Sequence, residues 1–318
     1  MGYGFAGFIG IAKETVWGTP VAATDYIEAL SENFGPVRER FEVKNIVGRY
    51  AEPDDEAGLI RVQGDMTFPV NPIGIGYFLR SAFGVMSGSV VLSGSLFKNI
   101  FTGATTEFAA DSPQPPYTLE VFRDVTSSFR FAGGNVNMLS LTVQPNQDLR
   151  ATANMIFKTS SIIAKSSPTF PGSPLSPFTY DSCSISIGGA ASTLVETLTM
   201  TVIDNQLEGI AALNASNEII KIRRKGPQLV RLSGSIGFDN LTEFNNFITQ
   251  TEQRFFMNFT KAASFNLLID MPRVVYTAFP VGMGGRERLV ASFEGTARFH
   301  TGSNQAIQVD LTNTKSNY

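Results

Sequence analysis

The sequence predicts a mainly β protein made of two tandem copies of one sandwich or barrel domain, each carrying one flank helix. Three observations carry that expectation. A proline-rich stretch near the middle separates two halves of similar length. A strand-then-helix segment occurs once in each half, and short alternating runs rich in Thr, Ser, Val and Phe follow it both times.

The break comes first. Residues 166–177 read SSPTFPGSPLSP, with Pro168, Pro171, Pro174 and Pro177 at every third position. Such spacing favours an extended, polyproline-like connector over helix or central strand. It divides the 318 residues into a first domain with an N-terminal arm (1–165), a linker (166–177) and a second domain (178–318), each long enough to bury a core.

The repeated segment lies on either side. Residues 59–68 read LIRVQGDMTF and residues 229–238 read LVRLSGSIGF, with identities at Leu59/Leu229, Arg61/Arg231, Gly64/Gly234 and Phe68/Phe238. A helix is predicted after each. In the first half Asn71 is placed to cap a helix opened by Pro72, running through Tyr77, Phe78, Leu79 and Phe83 to a terminating Gly84. In the second, Asn240 and Glu243 have capping-box spacing, and Leu241, Phe244, Phe247 and Ile248 form the apolar face. Beyond the helices, alternation predicts strands at 117–122, 136–143, 149–157, 265–269, 289–299 and 306–311. Strand content is expected to exceed helix content by a wide margin.

Composition narrows the function. Formal charge is -3, which gives no general attraction to nucleic acid or to an anionic membrane. No apolar run reaches the ~18 residues that span a bilayer, and the opening lacks the basic region of a secretory signal. A soluble protein folding in the host cytoplasm is expected. Cys183 is the lone cysteine and His300 the lone histidine, so neither an internal disulfide nor a Cys/His zinc site can be assembled. His300 sits in ARFHTG and reads as one strand residue among several, not as a catalytic base. Gly282 to Gly285 (GMGG) lack the strand-loop-helix context of a phosphate cradle and read as a turn before a strand. No cofactor, metal or catalytic residue is predicted, and the chain is not expected to be an enzyme.

Residues 11–23 read IAKETVWGTPVAA, which resembles the opening of tail tube proteins (major tail proteins) of long, flexible-tailed bacteriophages. Residues 134–157, 197–207 and 306–313 are similar to further strands of that family. The resemblance implies the tube fold, two packed antiparallel sheets with a flank helix. It implies six such domains per ring and rings stacked into a hollow tube around the tape measure protein, through which DNA later passes without specific binding. It also implies tail-tip and tail-terminator partners and a place in the virion. With two copies per chain, a homotrimer supplies six domains, and a hexamer is the less economical arrangement. The alternative is a β-rich tail-tip or receptor- or carbohydrate-binding module. That reading needs a cleft edged with aromatics, and the lone Trp17 is expected in the N-terminal arm.

Two sets of residues are candidates for assembly. Upstream of the repeated strand the first half carries Glu52, Asp54, Asp55 and Glu56, and the second carries Lys221, Arg223, Arg224 and Lys225. Acidic loop against basic loop is a candidate ring-stacking contact. Arg61 and Arg231 are candidate equivalent residues on the same face of the ring. The glycine- and aromatic-rich arm at 1–8 (MGYGFAGF) is expected to order against a neighbour on assembly.

Overall fold

A computed structural model of the chain describes residues 2–44, 46, 48, 50–51, 55–170, 176–214, 216–261, 265–283 and 288–318, without the side chains of 200–202. In the first half β1 (Phe8–Lys13), β2 (Asp25–Ile27), β3 (Ser31–Glu32), β4 (Gly35–Glu42) and β5 (Asp55–Pro69) precede helix α1 (Ile75–Phe83). Then come β6 (Gly84–Ser93), β7 (Leu96–Gly103), β8 (Tyr117–Phe122), β9 (Ser127–Val143), β10 (Arg150–Phe157) and β11 (Thr159–Ala164). In the second half β12 (Cys183–Ile187), β13 (Ala190–Ser192), β14 (Val195–Asp204), β15 (Leu207–Ile210), β16 (Lys221–Arg224) and β17 (Val230–Gly237) precede α2 (Thr242–Ile248). The half closes with β18 (Gln253–Lys261), β19 (Phe265–Ala278), β20 (Val290–Ala297) and β21 (Gln308–Asn313). The protein is mainly β, and its described strands pair antiparallel throughout.

In the first half the hydrogen-bonded order is β2-β1-β8-β9-β10-β5, with β11 beside the start of β9 and β3 and β4 on the outer side of β5. In the second half it is β13-β12-β18-β19-β20-β17, with β21 beside the start of β19 and β14 on the outer side of β17. The two orders match strand for strand. Among the described residues the hairpin β6-β7 has no counterpart in the second half, and β15-β16 forms a separate two-stranded sheet. The long β9 belongs to two sheets: its start pairs with β8 and β11, its end with β10 and β14.

Alternation along these strands makes the core. Ala151, Ala153, Met155 and Phe157 of β10 point inward, as do Phe255, Met257 and Phe259 of β18. The halves do not hold separate cores. One apolar cluster runs from Ile9 through Phe157 and Phe293 to Tyr318, and two seams cross the midline: β14 pairs with β9, and β21 pairs with β7 of the first-half hairpin. The connector ends are tied down as well. Ser166 N–H donates to Glu120 at 3.0 Å, and Phe178, buried, bonds through its backbone to Val70 and Leu149. Pro171 and Pro174 lie outside the described residues.

The helices follow their capping residues with two corrections. Asn71 Oδ1 accepts from the N–H of Ile73 (3.1 Å) and Gly74 (2.6 Å), so Pro72 falls in a side-chain-held turn and α1 starts at Ile75 instead. Gly84 ends it at φ 83°, a backbone conformation open to glycine. At α2, Asn240 Oδ1 accepts from Thr242 N–H at 2.9 Å, but Glu243 does not close a capping box; its carboxylate accepts the Tyr276 hydroxyl at 2.7 Å. Phe244 and Phe247 pack toward Phe279, while Leu241 and Ile248 are exposed, because the short helix touches the sheet along one narrow stripe only.

Candidate functional site

Trp17 is not part of a free arm. Its indole is 6% exposed, donates to Gly133 O at 3.0 Å and packs with Leu207, Ile219 and Ile222 of the second half, under Lys158 at 4.7 Å. The loop that carries it is folded on Glu14, a buried carboxylate that accepts from Gly18 N–H (2.7 Å), Thr118 Oγ1 (2.6 Å) and Gly133 N–H (2.7 Å). Burial pushes the Glu14 carboxyl above its ordinary value, and these three hydrogen bonds only partly oppose the shift. The arm before it starts with Tyr3 N–H on Asp124 (2.9 Å) and a Tyr3–Phe5 ring stack at 5.4 Å; Met1 lies outside the described residues.

Among the described residues no group of three or more His, Cys, Asp or Glu is placed to hold a metal. His300 falls outside β20, in a turn closed by a bridge to Gln305, with Nδ1 held by Ser303; the alternation that reads as strand ends at Ala297. Cys183 opens β12 with its thiol pushed up to about 12 by burial, far from a reactive thiolate. Gly282 and Met283 follow β19 without regular structure, and Gly284 and Gly285 lie outside the described residues.

The charged candidates divide between two hairpins. Asp55 and Glu56 open β5 against β4, where Asp55 pairs with Arg40 at 3.0 Å and Glu56 stands opposite Phe41. Glu52 and Asp54 lie outside the described residues. Lys221, Arg223 and Arg224 form β16, and Lys225 follows it. Arg223 pairs with Glu107 and donates to Ala110 O at 2.7 Å; Lys225 pairs with Glu208 at 3.3 Å. Arg224 is half-buried, bonds Asn205 Oδ1 at 3.2 Å and has its guanidinium pKa lowered by burial.

Arg61 pairs with Glu39 at 2.5 Å and reaches Gly209 O of β15 at 3.4 Å. With Lys225 and Glu208 it lines a shallow cleft of about 290 Å³, so Arg61 and the end of the basic segment share one cleft. Arg231 is exposed on β17 opposite Thr296 and is not among that cleft's lining residues.

Strand β4 carries no alternation that announces it in the sequence. Seven of its eight residues are exposed, among them Val37 (58%) and Phe41 (57%), and among the described residues it pairs with β5 alone. Its mixture of Arg, Glu and apolar residues hides the alternation, since neither face is buried in the single chain. The pattern PVRERFE is nevertheless that of a charged edge strand.

The described residues form a mainly β chain with an open, charged edge strand at β4. The family model for phage tail tube proteins matches residues 4–297, and the chain belongs to that family. None of the curated proteins compared with it matches. It is a structural component of the phage tail, located in the tail of the virion.

Proposed function

We propose that this chain is the repeating subunit of the tail tube, assembling into rings that stack into the hollow conduit for DNA. The observation that carries the reading is the strand-pairing order found twice in one chain, which supports an internal duplication into units 1–165 and 178–318 joined by 166–177. A trimer then supplies six units per ring, against twelve in a hexamer of chains. The tape measure protein inside the tube and tail-tip and terminator proteins at its ends are the partners that follow, with DNA passing a lumen free of dedicated phosphate sites. The tail-tip or glycan-binding alternative needs a cleft edged with exposed aromatics, and the lone tryptophan, Trp17, is buried. Electron microscopy of the purified protein tests this. Rings or tubes are expected, and a persistent monomer that binds glycan reverses the reading.

Ring stacking draws on the charged hairpins. Glu52, Asp54, Asp55 and Glu56 of one ring are proposed to face Lys221, Arg223, Arg224 and Lys225 of the next, each exposed pair adding about 0.2 to 1 kcal/mol and the sum over a ring fixing register. Arg61 and Arg231 are proposed as equivalent positions around the ring, and the exposed Tyr3–Phe5 arm as a segment ordered by a neighbour. Reversing Arg223 and Arg224 to Glu is expected to slow tube growth at low salt. Reversing Glu52, Asp54 and Asp55 to Lys in addition restores it in part. Because Arg223 also pairs with Glu107 in the chain, equal melting temperatures of the variants are required; a double reversal no better than the single one removes the proposal.

A further inference from the structure

A pocket of about 270 Å³ opens beside β2. Among the described residues its walls include Asp25, Tyr26, Glu28, Tyr77 and Phe170. Tyr26 and Glu28 stand two apart at the end of β2, the spacing that puts side chains on one side of an extended chain. Phe170 lies against Tyr26, with ring centroids 5.9 Å apart and planes tilted by 55°, and it keeps 40% of its surface in solvent. The Tyr26 hydroxyl is fixed 3.1 Å from Ser166 Oγ. The inner wall is already used by one ammonium. Lys315 Nζ donates to Asp25 Oδ1 at 2.8 Å and to the Tyr77 hydroxyl at 2.6 Å, and it lies 4.9 Å from the centre of the Tyr77 ring. Lys315 therefore neutralises Asp25. Glu28, half-buried, makes no ion pair or side-chain hydrogen bond among the described residues.

We propose that this pocket binds a small alkylammonium ion, with Tyr26 and Phe170 as its aromatic walls and Glu28 as its counter-ion. Charge selects the sign: two carboxylates face one ammonium, Lys315, so one further monovalent cation brings the pocket to neutrality. The walls select the kind of cation. Ring faces attract an ammonium through their quadrupole and accept its methylene groups, and a partly desolvated carboxylate strengthens the charge-assisted hydrogen bond. A metal ion is disfavoured there, because calcium or magnesium asks for several oxygen ligands and Glu28 is the one carboxylate not already paired. Volume sets the size, since a pocket this small holds a chain of a few carbons and not a larger ligand. Lys315 on Tyr77 and Asp25 shows the same recognition carried out inside the chain. The site is complete within one chain, so the inference goes beyond the proposed assembly and stands without it.

The test uses butylammonium chloride and 1-butanol, equal in chain length and different in charge, titrated into the full chain at constant ionic strength and followed by saturation-transfer NMR. Butylammonium is expected to bind saturably, and butanol about ten-fold more weakly or less. Glu28→Gln is expected to keep the melting temperature, since Glu28 has no partner to lose, and to weaken butylammonium binding about ten-fold. Glu294→Gln on β20, which changes net charge equally far from the pocket's lining residues, leaves binding unchanged. Phe170→Leu keeps the apolar bulk, removes the ring and is expected to weaken butylammonium several-fold while leaving butanol as it was; it carries the test alone should Glu28→Gln melt early. No saturable butylammonium binding, equal affinity for the two probes, or full binding by a folded Glu28→Gln or Phe170→Leu protein each overturns the site.

Discussion

At the residue scale the most informative side chain is Glu14, a carboxylate in the turn that seats Trp17 between the halves. Its folded pKa is raised, so the folded state holds the proton more tightly than the unfolded chain. The sign follows by linkage: stability falls as pH rises from about the ordinary value of 4.5 through the folded pKa and is level above it. The melting temperature of the protein minus that of Glu14→Gln is expected to fall across that window as pH increases, and a difference independent of pH contradicts the assignment. Residue types alone gave part of this. Ile11 to Trp17 is legible as a family-like opening, but the burial of Glu14 is not, because a charged residue beside Lys13 and Thr15 reads as surface until three donors are seen to converge on it.

At the element scale α1 was legible and α2 half so. Asn71 and Gly84 announce their helix because both act within a few residues of it. The face of α2 depends on how closely the sheet approaches, which sequence periodicity does not report, and Leu241 and Ile248 end in solvent. α1 also carries a long-range contact invisible to local patterns. A Cβ on Gly76 would fall within the Tyr318 ring, which stands at right angles to Tyr77 at 5.2 Å and whose main-chain oxygen accepts from Lys13 at 2.9 Å. Nearby, burial tends to raise the Asp25 carboxyl, but Lys315, Tyr77 and Thr24 bonding to it outweigh that and hold it below its usual value. Gly76→Ala is expected to destabilise by about 1 to 3 kcal/mol through overpacking. In a Tyr318→Ala background the same change costs much less, and equal denaturant shifts in the two backgrounds contradict the contact.

At the scale of the whole molecule the mainly β class and the strand-then-helix order of each half were readable from alternation and from the Leu-Arg-Gly-Phe repeat. Val62 and Leu232, and Met66 and Ile236, are buried at matching places on β5 and β17. What no local pattern carried is the joining of the halves. Leu139 opposite Ile203 across the β9-β14 seam, and β21 against β7, are pairings between segments far apart in sequence, chosen by complementary edges. If two equivalent units per chain build a six-unit ring, the smallest closed assembly contains three chains. Native mass spectrometry of the isolated ring measures that number directly: three chain masses is the predicted result, and a ring of six chains, with twelve units, contradicts the six-unit ring.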